Sequence, residues 1–279
     1  MSGSTSPTES HAGRPRRAAA SGAGPRPGRR RNPWISLAAV AIILLIWELG
    51  SLAFGSPIIL PSPPETVVGL AKLFASAGFW EAVGATVLRG LAGFLLSCLC
   101  GTVIGGLAGY SRTARGFVNP FLTVIRSTPV MSVILLALIW FRTDAVPVFV
   151  GFLMGFPIIC GNIVEGVQAV DRALLEMARA YRVSPLRIVT GIHLPSVFPY
   201  FIAGVSTALG ITWKVVVAAE VLSQPVHAIG TGLALAKYRL DTAEVFAWTV
   251  VAILLSAASD ALLLLVDRQI PWRNRFDGA

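Results

Sequence analysis

Charge is what this chain has least of: charged residues fill only 13% of its 279 positions, about half the fraction usual in soluble domains. Cysteine is scarce too. Cys98, Cys100 and Cys160 all sit in apolar runs and show no Cys-x-x-Cys spacing, so they read as buried free thiols rather than a disulfide framework or a zinc site. His11, His193 and His227 are far apart in different surroundings and form no His-x-x-x-His pair. Neither Gly-x-Ser-x-Gly nor His-Glu-x-x-His occurs, which leaves no catalytic or metal constellation. The chain is therefore not read as an enzyme, and no cofactor or metal is expected. None of the lysines, Lys72, Lys214 and Lys237, has the preceding glycine of a P-loop, which excludes binding of ATP phosphates by that route. The net charge of +9 is no sign of a nucleic-acid partner, because seven arginines fall in residues 1–33. That Pro/Gly/Ser/Arg-rich stretch is expected to be a disordered basic tail beside a membrane span.

Hydrophobic residues, at 54%, are abundant and come in long runs. A hydrocarbon core about 30 Å thick takes roughly 20 apolar residues of helix. Six segments qualify, at about 34–54, 86–109, 119–141, 145–165, 196–221 and 245–266. The expected fold is an all-α membrane protein with six transmembrane helices and both termini on one side. The first run is too long for a signal-peptide core and reads as an uncleaved anchor. With the termini inside, the inner segments hold 16 Lys and Arg against five outside (Lys72, Arg89, Arg142, Lys237 and Arg239), which places both termini in the cytoplasm. The organisation that follows is a tail at 1–33, a membrane domain at 34–273 and a short cytoplasmic tail at 274–279. In the second span, Gly101, Gly105 and Gly109 recur at the spacing that lets helices approach closely, and packing within the chain is expected. Outside, Ser62-Pro63-Pro64-Glu65 has the form of a capping box. It opens a helix whose Val67, Leu70, Ala71 and Phe74 share a face, either lying at the membrane interface or meeting an external partner.

The stretch from Asp171 to Pro195 is a charged island between apolar runs, and its arginines exclude it from lipid. Asp171 is a candidate N-cap. Leu174, Met177, Ala178 and Tyr181 share one face of the helix that follows. Arg172, Glu176 and Arg179 share the other, with Glu176 within reach of both arginines. Ser184-Pro185 restarts a helix as N-cap and N1. A soluble partner is expected to dock on this projecting turn.

These residues carry a resemblance. Bacterial importers powered by ATP-binding-cassette (ABC) proteins have permeases with a cytoplasmic signature: Glu-Ala-Ala, a glycine after three residues, then Ile-x-Leu-Pro after nine more. Glu176-Met177-Ala178, Arg182 and Ile192-His193-Leu194-Pro195 keep that spacing, with Met177 in place of an alanine and Arg182 in place of the glycine. A left-handed turn at that position costs a non-glycine residue roughly 1–2 kcal/mol. Leu60-Pro-Ser-Pro63 and Trp213-Lys-Val-Val-Val-Ala-Ala-Glu220 resemble the nitrate, sulfonate and taurine branch, and the likeness covers about residues 34–273. The resemblance implies a type I importer permease in the bacterial cytoplasmic (inner) membrane. Its partners would be two ABC ATPase subunits, a second permease copy as homodimer, and a periplasmic or lipid-anchored solute-binding protein, with lipid around the spans. The ATPase would dock on loop 166–195 through Asp171, Arg172, Leu174, Glu176, Met177, Ala178, Arg179, Ala180, Tyr181, Arg182, Ser184 and Pro185. A small anionic solute would pass Arg126, Thr128, Trp213, Lys214 and Glu220. Alternatively, Lys214 and Arg126 pair structurally with Glu220 or Asp260, and a secondary transporter or channel is the competing function.

Overall fold

The protein's computed structural model describes residues 33–269. The tails expected at 1–33 and 274–279 thus lie outside the described residues, save Pro33. By its contacts the chain divides after Leu45. The first part is the opening of helix α1 (Pro33–Phe54), with Leu37, Ile43 and Leu45 exposed. The second part continues α1 and adds α2 (Pro63–Phe74), α3 (Ala77–Tyr110), α4 (Arg112–Ser127), α5 (Val130–Trp140) and α6 (Ala145–Gln168). There follow α7 (Arg172–Ala180), α8 (Pro185–Ile188), a π-helical turn (Val189–His193), α9 (Leu194–Ser223), α10 (Ile229–Tyr238) and α11 (Thr242–Gln269). No strand occurs among the described residues.

Among the described residues, five helical stretches are long and apolar enough to cross a membrane: α1, α3, α6, the continuous run from α8 through α9, and α11. The expected third span, 119–141, is not one straight helix. The α4–α5 pair is bent by 101° and makes a sixth crossing if both halves are one span. The cause is local. Pro129 has no N–H to continue the helix, and Thr128 before it is pushed to an extended ψ of 128°. The helix of the second expected span, α3, begins at Ala77, well before the expected residue 86, and α10 is a short helix that apolar run lengths do not reveal.

Helix α6 packs between α3 and α9, where Phe94, Ile159, Ile163, Ala208 and Trp213 form the main core cluster. The α3–α6 seam depends on glycine: a Cβ on Gly105 would sit 2.7 Å from the Cys160 carbonyl. The spaced glycines therefore serve packing within the chain. Cys98, Cys100 and Cys160 are free.

The capping box opens α2 as expected, with the Ser62 N–H donating to Glu65 Oε2 at 2.8 Å and the Glu65 N–H to Ser62 Oγ at 3.4 Å. Its inner face differs from the expected one. Thr66, Leu70 and Leu73 turn inward, and Gly69 lies against the Ala243 carbonyl of α11, while Val67, Ala71 and Phe74 are exposed.

Candidate coupling face and translocation pathway

The charged island is a short helix with defined ends. Asp171 Oδ1 accepts the Ala173 N–H at 2.8 Å, capping α7. At the other end the Val183 N–H donates to Ala178 O and the Arg182 N–H to Arg179 O, both at 2.9 Å. That bond pair is a Schellman motif, which needs a left-handed residue just past the cap. Arg182 is that residue, with φ 54°. Ser184 and Pro185 then start the long run into α9, though the Ser184 side chain makes no cap bond.

Helix α7 turns Ala178 inward and half-buries Leu175. Ala178 therefore leaves the outward face expected for it. Leu174, Met177 and Tyr181 remain on that face, with Tyr181 80% exposed, and Leu186 of α8 is exposed as well. Arg172, Glu176, Arg179, Ala180, Arg182, Ser184 and Pro185 are exposed around them. The expected Arg172–Glu176 and Glu176–Arg179 ion pairs do not form among the described residues. Solvated pairs of this kind gain about 0–1 kcal/mol, against the entropy of holding two long side chains. The charges are left free for a partner. At the cytoplasmic signature's end the chain makes its π-turn, where the His193 ring meets Tyr110 edge-on at 5.0 Å.

The pathway candidates separate into two groups. Arg126, in the last turn of α4, donates from Nη2 to the Pro157 carbonyl of α6 at 2.6 Å. Gly161, one turn along, has no side chain to block the guanidinium. The alternative Arg126–Asp260 pair does not occur among the described residues. Thr128 folds back onto Val124 O at the helix break. Trp213 is buried, its benzenoid edge against Gly90 of α3. Lys214 is exposed.

Glu220 does not join them. It is 0% exposed, and its carboxylate accepts from Thr86 Oγ1 at 2.9 Å, Arg89 Nη1 at 3.1 Å and the Gly230 N–H at 3.2 Å. It belongs to the protein interior rather than to an open pathway. The alternative Lys214–Glu220 pair does not form either: six residues at 100° each set the two side chains about 120° apart around a helix, and Glu220 pairs with Arg89 instead. Arg89, counted as an outer loop charge from sequence, bridges Glu220, the His227 carbonyl at 2.7 Å and Asp144 at 2.6 Å. The signal was its place beside Thr86, Gly90 and Gly93, which share one buried face of α3.

Of one strip, only Lys214 was expected from sequence. Ser206, Thr207, Gly210 and Lys214 follow one another along the outward side of α9, and Ser206, Thr207 and Lys214 are exposed. The outward side of α3 instead carries Leu88, Leu95, Leu99 and Val103, as a lipid-facing helix should. A strip of small and polar side chains in a membrane helix fits a water-filled space or another helix.

Residues 101–271 match the family described as binding-protein-dependent transport system inner membrane component. A putative aliphatic sulfonates transport permease protein of Bacillus subtilis (strain 168) is 30% identical over 258 residues, 91% of this chain and 93% of that one. The taurine transport system permease protein of Escherichia coli (strain K12) is 26% identical over 252 residues, 88% of this chain and 91% of that one. Among solved structures, a bacterial alginate ABC transporter crystallised with an alginate pentasaccharide-bound periplasmic protein aligns with TM-score 0.54 at 15% identity. The alignment covers 86% of this chain and 94% of that one. It carries the fold, not the solute.

Proposed function

This chain belongs to the binding-protein-dependent transport system inner membrane component family, and from that membership we infer how its parts work together. It is a multi-pass permease of the bacterial inner membrane, in a family of transport proteins rather than enzymes. Two copies pair with their α9 strips facing a shared path, so that Ser206, Thr207, Gly210 and Lys214 meet the solute. Two separate ATPase subunits dock from the cytoplasm on loop 166–195, within a membrane domain of residues 34–273. A solute-binding protein delivers the cargo from outside. The cargo is a small anion of the sulfonate type, for which Lys214 supplies the attracting charge. Closure of the ATPases on ATP moves the two α7 helices together and reorients the spans as rigid bodies.

The observation that carries this reading is the exposed apolar face of Leu174, Met177 and Tyr181, on a turn held in shape by its own caps. Such a patch outside the spans requires a cover. A secondary transporter has no use for it. Tyr181→Asp places a charge on the face at the C-cap position of α7, where the capping bonds are made by the backbone and stay available. ATPase co-purification with the permease should fall at least about tenfold, the effect of losing one buried anchor residue, while the permease still inserts. Full co-purification of the ATPase with Tyr181→Asp would overturn the docking assignment.

A further inference from the structure

Two opposite charges share one groove in the membrane domain. The groove, ≈ 380 Å³ in volume, lies between α9 and α11 and is lined by Trp213 and Lys214 on one side and by Thr249, Ser256 and Asp260 on the other. Lys214 and Asp260 are both exposed to it, and neither has an ion-pair partner among the described residues. The Trp213 Nε1–H is buried without a hydrogen-bond acceptor. Its ring presents the benzenoid edge to Gly90, which leaves the N–H edge on the side away from α3. Single charges within spans are costly unless something complementary meets them. A plain anion answers Lys214 but sets like charge against Asp260, whereas a solute with both charges answers both. The lining stretch of α11, from Thr249 to Asp260, rises roughly 16 Å at 1.5 Å per residue, ample for a small molecule laid along it.

We propose that Lys214 and Asp260 form a two-ended subsite for a small zwitterion, with Lys214 holding a sulfonate and Asp260 an ammonium group. The sulfonate end rests on the import reading above; the ammonium end comes from Asp260. Thr249 and Ser256 also line the groove and offer hydroxyls to the solute.

The test uses the permease assembled with its ATPase and binding protein in liposomes, supplied with labelled taurine or with ethanesulfonate, which lacks the amine. Asp260→Asn should lower the taurine-to-ethanesulfonate uptake ratio about tenfold or more, the worth of one charge-assisted contact. Lys214→Met should lower uptake of both solutes together. Asp260→Glu, which keeps the charge and lengthens the arm, should shift preference from taurine towards aminomethanesulfonate, and this variant decides the matter if Asp260→Asn does not assemble. An unchanged ratio in Asp260→Asn, or no shift in Asp260→Glu, overturns the zwitterion subsite. If Lys214→Met still loses both solutes, sulfonate import stands without it. Uptake of neither sulfonate by the unaltered transporter overturns both readings.

Discussion

Arg182 is held in a conformation that suits glycine, at φ 54°, by the two bonds that end α7. The side chain itself is exposed and touches no charged partner among the described residues. Arg182→Gly should therefore stabilise the detergent-purified protein or leave it unchanged, with a gain of up to about 1–2 kcal/mol, and ATPase association should persist. Arg182→Val, β-branched at a left-handed position, should lower thermal stability. A loss of ATPase association in Arg182→Gly would show that the guanidinium makes a contact of its own. The turn was legible from the residue that departs from the family pattern, and so was the Asp171 cap. Glu220 was not. The six-residue spacing already sets Glu220 about 120° from Lys214 around a helix, but nothing local in the sequence shows that its side is buried. Glu220's real partner, Arg89, lies far away in the chain on α3.

At the scale of elements, the α4–α5 break shows where apolar run length misleads. Residues 119–141 are long enough for a span, but proline and the residue before it end one helix and aim the next elsewhere. Arg126 can then lie across α6 at Pro157 and Gly161. Spin labels at Phe117 and Ile139, both exposed, offer a direct check by pulsed electron resonance. A straight helix would hold those Cα atoms roughly 33 Å apart at 1.5 Å per residue. The 101° bend brings them to roughly 20 Å by the same rise. A single distribution near the longer value would rule out the break. The long spans and the capping box of α2 were readable because periodicity and caps are local properties. The inward face of α2 was not, because Gly69 against Ala243 decides it, and α11 lies far along the chain.

At the scale of the whole molecule, the two faces of the permease answer different needs. The α9 strip is small and polar, and the groove beside it sets Lys214 and Asp260 in a largely apolar lining, which suits a solute in transit. The α7–α8 turn is apolar at its centre and charged at its rim, which suits a protein. The second feature was visible in the sequence as a charged island of recognisable spacing, whereas the first emerged only when burial separated the two sides of α9. On the function proposed above, the path is moved by force applied at the α7–α8 turn, with ATP consumed on a separate subunit. That claim is tested most directly by solute accumulation in liposomes carrying the permease with and without its ATPase. With ATPase, binding protein and ATP present, labelled taurine should accumulate against its gradient, and omission of ATPase or ATP should abolish the accumulation. Equal accumulation by the permease alone, driven by an ion gradient, would contradict the account.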